Sequence, residues 1–229
     1  MPKGLRPRSP GKGRPVPRPA ARLPHALTEE IRRTARPTDQ DPAIARLARA
    51  IELLERGDGG AAIREAEKAK VLAPRAASVR EVLGMALYGQ ERWNEALTEL
   101  KAYRRISGRP DQNHLIGDTL RALGRPGEAV PLAEEELRGK ASNEAKAEAV
   151  IVAASALADQ DRFAEALAFL RRARTREDVS ERYTLRLWYV RGDILERAGR
   201  TREASEEFRK IMRHDPGAFD AAERIARLG

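Results

Sequence analysis

The three histidines, His25, His114 and His214, are the side chains best suited to proton transfer near neutral pH, and they are scattered over a chain of 229 residues. His114 and Asp118 stand four apart, a spacing that puts both on one helix face and lets a carboxylate orient an imidazole. The same spacing commonly serves an ordinary surface hydrogen bond. There is no cysteine, which removes disulfides, thiolate metal sites and thiol nucleophiles. Gly11-Lys12 sits in a Pro-rich stretch, without the strand or the Ser/Thr of a phosphate loop. Neither a Gly-x-Ser-x-Gly elbow nor a His-Glu-x-x-His helix occurs. A non-catalytic protein with no metal and no cofactor is the expectation.

If these residues bind rather than react, the elements that hold them matter more than their individual chemistry. With 34% charged and only 4% aromatic residues, packing must rest on alanine and leucine, and much helix surface must face water. The formal net charge is +9. Residues 1–40 hold 10 Lys or Arg against 3 Asp or Glu, leaving 34 against 32 for residues 41–229. The basic character is therefore a property of the N-terminal arm, and the remainder is close to neutral. No apolar run approaches the roughly 20 residues that a membrane helix needs, and Pro and Arg follow the basic start where a signal peptide would place its apolar stretch. A cytoplasmic protein is expected.

Met1 to Pro24 carries seven prolines and seven Lys or Arg, with no acidic or aromatic residue. Such a segment buries too little to offset chain ordering, so a disordered arm is predicted. Lys3, Arg6, Arg8, Lys12, Arg14 and Arg18 could neutralise phosphates with weak, salt-dependent affinity, and no aromatic is present to stack on bases. A solvating tail, a nucleic-acid or ribosome contact, a docking segment for another protein and a plug for the chain's own binding surface all remain open. Thr28, followed by Glu29 and Glu30 and then by arginines, predicts a short helix near 27–35 with Thr28 as its cap.

Beyond residue 40 a small residue is followed 12 positions later by alanine five times: Ala50 and Ala62, Gly84 and Ala96, Gly117 and Ala129, Ala154 and Ala166, Gly192 and Ala204. Successive pairs begin 34, 33, 37 and 38 residues apart. Small residues at two fixed places let paired antiparallel helices approach closely, with larger neighbours filling the seam. Gly57-Asp58-Gly59, Gly124-Arg125-Pro126-Gly127 and Gly199-Arg200 supply breaks between the helices of a pair. Pro74 and Pro216 close second helices.

Leu83-Gly84, Leu87-Tyr88, Glu95-Ala96-Leu97 and Leu100 resemble a tetratricopeptide repeat, as do Trp188, Gly192, Leu195, Ala204, Phe208 and Pro216. The resemblance implies an all-α, right-handed α-solenoid of five such helix pairs plus a C-terminal capping helix. Units are placed at 43–76, 77–109, 110–143, 147–182 and 185–216, with the cap at 217–229; the third and fourth depart from the pattern, with longer connections near 138–146 and 174–182. Units of this kind share one continuous core and need a cover at the end.

The resemblance further implies a protein scaffold or adaptor that holds a partner's peptide or helix in the concave groove lined by the first helices. Carried over by position, the groove residues are Glu81, Met85 and Tyr88; His114, Asp118 and Arg121; Glu148, Ile151 and Ser155; and Tyr189, Asp193 and Glu196. Ile44, Leu47, Ile51 and Leu54 make the first unit's share apolar, and cover by the Thr28 helix or another segment is expected. The lysine and asparagine set with which some family members grip a C-terminal carboxylate is missing: Met85, Asp118, Ser155 and Asp193 stand at its central places. A nucleic-acid or ribosome-associated accessory factor working through the basic arm is the alternative reading.

Overall fold

The computed structural model describes residues 23–140, 142–173 and 182–228. The basic arm to residue 22, with Lys3, Arg6, Arg8, Lys12, Arg14 and Arg18, lies outside the described residues, as does much of the connection near 174–182. Within them are twelve α-helices and no strand. Five antiparallel pairs follow one another: α2 (Gln40–Glu55) with α3 (Gly59–Leu72), α4 (Ala77–Gly89) with α5 (Trp93–Ser107), and α6 (Asn113–Ala122) with α7 (Ala129–Arg138). They continue with α8 (Asn143–Ala158) and α9 (Phe163–Leu170), then α10 (Arg182–Arg197) and α11 (Thr201–His214). Each second helix also packs on the next first helix, and first helices touch the first helices of neighbouring units. The architecture is an all-α solenoid.

The turn inside each pair repeats with one backbone geometry. Seven residues beyond the small residue of each first helix, φ is positive at Gly57, Glu91, Gly124, Asp161 and Gly199. The following amide reaches five residues back to a leucine carbonyl each time, as in Asp58 N–H to Leu53 at 2.9 Å and Arg200 N–H to Leu195 at 2.8 Å, the C-terminal motif that satisfies carbonyls a helix end would leave open. In four units the residue giving that amide is an arginine whose side chain forks onto a glutamate three positions on: Arg92 with Glu95, Arg125 with Glu128, Arg162 with Glu165 and Arg200 with Glu203. That glutamate sits where the second helix opens, and negative charge there suits the helix dipole. The first unit has Asp58 instead, which caps α3 by accepting the Ala61 N–H at 3.0 Å.

The seam between paired helices is as narrow as the small residues require. Ala50, Ala62, Ala96, Ala154, Ala166 and Ala204 are fully buried. A methyl added at Gly192 would lie 2.6 Å from a ring carbon of Phe208, one at Gly84 would lie 2.8 Å from Leu100 Cγ, and one at Gly117 would lie 3.1 Å from Val152. Glycine is thus a packing requirement at these places, where a large side chain of the unit or its neighbour fills the gap.

Both ends differ in detail from the sequence expectation. The N-terminal helix α1 spans His25–Thr34. Pro24 precedes its first turn, and the Thr28 hydroxyl donates back to the Pro24 carbonyl at 3.4 Å instead of capping the helix. Ile31 is the one fully buried residue of α1 and joins Leu47 in the first core, while Ile44, Ile51 and Leu54 stay half-buried. Cover of that apolar face is therefore partial. The first helix of the fourth unit begins at Asn143, ahead of residue 147, because Ser142 caps it by accepting the Ala145 N–H at 3.1 Å. At the far end α12 (Ala221–Leu228) packs on α11 as another first helix would, burying Ala221.

Five substitutions test the seam and the turns. Gly192→Ala should lower stability by about 1–2 kcal/mol, the overpacking against Phe208 outweighing the gain in helix propensity, whereas Gly89→Ala, where an added methyl meets nothing within 4 Å, should raise it by a few tenths to about 1 kcal/mol. Urea unfolding followed by circular dichroism reads both. At the turns, Glu91→Gly and Asp161→Gly relieve left-handed backbone in side-chain-bearing residues and should each stabilise by up to about 1 kcal/mol, while Gly199→Ala should cost a similar amount.

Candidate partner-binding groove

The first helices α4, α6, α8 and α10 carry the groove residues, spaced so that one helix face of each is presented. On α4, Glu81, Met85 and Tyr88 lie at helical spacing, and Met85 is 37% exposed, a large apolar side chain facing outward. Glu81 accepts a 2.7 Å bond from the Gln112 amide. Burial raises its pKa, and that amide only partly offsets the effect. The Tyr88 hydroxyl donates to Asp118 at 2.5 Å and its ring meets Trp93 edge-on at 5.5 Å; burial, then the bond to Asp118, pushes the phenol well above its ordinary range.

Asp118 leads into a polar line running along the solenoid. Its other oxygen receives Arg121 Nη1 at 2.6 Å, and Arg121 Nε reaches Asp159 at 2.9 Å in the next unit. Asp159 in turn takes Arg197 at 3.4 Å, and Arg197 also donates to the Ala158 carbonyl at 2.7 Å. A parallel link joins Glu148 of α8 to Arg186 of α10 at 2.9 Å. Burial raises the Glu148 pKa and Arg186 opposes the shift. Ser155 is half-buried on α8, whereas Ile151 is buried in the core and so does not line the groove.

At the C-terminal end the groove is filled from within the chain. Arg224 of α12 contacts Asp193 at 2.9 Å and Glu196 at 2.7 Å, and donates to the Tyr189 hydroxyl at 3.2 Å. Tyr189 gives its own proton to Asp220 at 2.7 Å. That bond, ahead of Arg224, lowers the Asp220 pKa. Burial works against the charge on Arg224, but Glu196 and Asp193 hold its pKa above the ordinary value. Tyr189 and Asp193 are therefore engaged by the cap. Trp188 is buried against His214, with ring centroids 5.1 Å apart.

His114, also expected in the groove, bonds to the second helix of its own pair. Its Nδ1 is 2.9 Å from Glu136 of α7 and its backbone N–H donates to the same carboxylate at 2.7 Å, with Glu136 fully buried. The imidazole is thereby turned to the seam of its own pair, and His114 and Asp118 serve different partners. Asp159, Arg186, Arg197 and Arg224 join the same polar contacts, and positional carry-over misses them. A signal existed: Arg121, Asp159 and Arg197 alternate in charge at a constant separation of 38 residues. Among the described residues no three His, Asp or Glu side chains gather as a metal site, and no helix is long and apolar enough to cross a membrane.

Comparison with known proteins agrees with the repeat fold. Models of the tetratricopeptide repeat match residues 47–110, 114–179 and 185–217. YrrB, described as a TPR protein with an unusual peptide-binding site, is 20% identical with a TM-score of 0.56, covering 87% of this chain and 97% of that one. A thermophilic TPR protein of Thermus thermophilus gives 18%, a TM-score of 0.63 and coverage of 83% and 98%. Pseudomonas aeruginosa pilF gives 13%, a TM-score of 0.62 and coverage of 83% and 90%. No curated protein matches the chain significantly. The family models account for most of the chain, each over a stretch where the helix pairs lie, and the chain belongs to the tetratricopeptide repeat family.

Proposed function

We propose that this protein is a non-catalytic scaffold or adaptor that binds a helix or extended peptide of a partner protein in the N-terminal half of its concave groove. The repeat fold supports a protein-binding role in general. What supports this place within it is the contrast between the two halves. Asp118, Arg121, Asp159, Arg197 and the residues around Arg224 find partners within the chain, so a ligand there would have to break as many interactions as it made. Met85 is exposed instead, with half-buried Ile51 and Leu54 on α2 and the Glu81 carboxylate on its own helix. An apolar anchor flanked by donor groups is the ligand chemistry this surface suits. Tyr88, Arg121, Ser155, Tyr189 and Asp193 then shape the groove, and His114 supports it from behind.

The test is affinity capture from lysate with the full chain and with a chain lacking residues 1–22, each with and without nuclease. Protein capture that survives both treatments and about 0.5 M salt, and drops at least tenfold in Met85→Glu at unchanged melting temperature, is the expected result. Capture lost with nuclease or with the arm would instead assign binding to the basic segment and nucleic acid.

A further inference from the structure

The start of α4 is capped from outside the repeat. Glu30 of α1 accepts the Ser78 N–H at 3.2 Å and also the Ala77 N–H, so its carboxylate sits on the open end of the helix dipole. In the third unit the same duty falls to Glu136, on the unit's own second helix. The residue at that register in the second unit, 33 positions earlier, is Tyr103, which bonds Asp111 instead. The repeat thus leaves this helix start to a carboxylate brought by another element.

As an occupant α1 is incomplete. It buries one residue fully, Ile31. Ser78 is 3% exposed, yet its hydroxyl has no partner at the turn Glu30 caps. Beside the helix remains a cleft of about 430 Å³, lined from α1 by Leu27 and from the repeat by Tyr103, the exposed Ile106, Glu81, Arg75 and Arg109. The Ile106 surface and the unsatisfied hydroxyl are more than α1 uses.

We propose that the surface beneath α1 is a docking site for a partner helix that presents a glutamate followed by a large apolar residue, with α1 as its intramolecular stand-in. The glutamate caps α4, the apolar side chain enters the Ile31 socket, and further residues fill the cleft toward Ile106. This surface lies where α4 begins and α5 ends; it shares Glu81 with the groove but not Met85, so Met85 variants separate the two.

The experiment uses the full chain and a fluorescein-labelled synthetic peptide copying residues 23–36, read by fluorescence anisotropy. Ile31→Ser, which frees α1, should bind the peptide at least tenfold more tightly than the parent chain. A control peptide carrying the Glu30→Gln change should bind the same variant at least tenfold more weakly. Glu30→Gln in the protein keeps the Ile31 plug, and should gain at least threefold; it carries the test if Ile31→Ser does not fold. Met85→Ala should leave all these affinities unchanged. Equal binding of both peptides, or no gain in either protein variant, would overturn the proposal.

Discussion

Everything in this molecule depends on how closely two helices of a pair can approach. With so few aromatic side chains, the core cannot be built around large central residues. It is built from alanines and glycines that bring backbones together, while Leu100 or Phe208 occupies the space that a glycine leaves. Close approach maximises dispersion contacts per residue, but each unit buries only one face of its helices. The stability of any unit is accordingly borrowed from its neighbours, and α12 has to close the last face.

The same repetition organises the polar groups. First helices meet along the concave side, and their charged residues face the next unit's at a regular interval. Arg121, Asp159 and Arg197 therefore link three successive units. Toward the N-terminus this line gives way to Met85 and to the apolar residues of α2. The row of first helices is consequently not uniform: toward the C-terminus its polar groups are tied to one another, and toward the N-terminus Met85 is exposed.

Much of this was legible in the residues. The 12-residue spacing of small side chains located all five seams because a close helix contact tolerates few alternatives. Three of the five turns were visible as glycines. The turns at Glu91 and Asp161 were not, since a side-chain-bearing residue in the left-handed region leaves no compositional mark; only the fixed offset of seven from Gly84 and Ala154 reveals them. Site residues were harder to read. Position on a helix assigned Met85, Tyr88, Asp118 and His114 to one face; it could not show that the His114 ring also bonds Glu136, a buried acid that sequence spacing does not connect to it. Arg224 was invisible for a similar reason, being brought to Asp193 and Glu196 by the docking of α12.

The line from Asp118 to Arg197 also bears on how the solenoid bends. Ion pairs join successive units on both rows of helices: Asp118, Arg121, Asp159 and Arg197 link first helices, while Lys70–Glu99, Arg104–Glu135 and Arg172–Glu134 link second helices or their ends, and those open to water weaken with salt. Raising ionic strength thus loosens the water-exposed links on both rows and spares Lys70–Glu99, whose carboxylate is buried. Stiffness along the repeat is then set in part by the surrounding electrolyte, greater in dilute buffer and lower in concentrated salt.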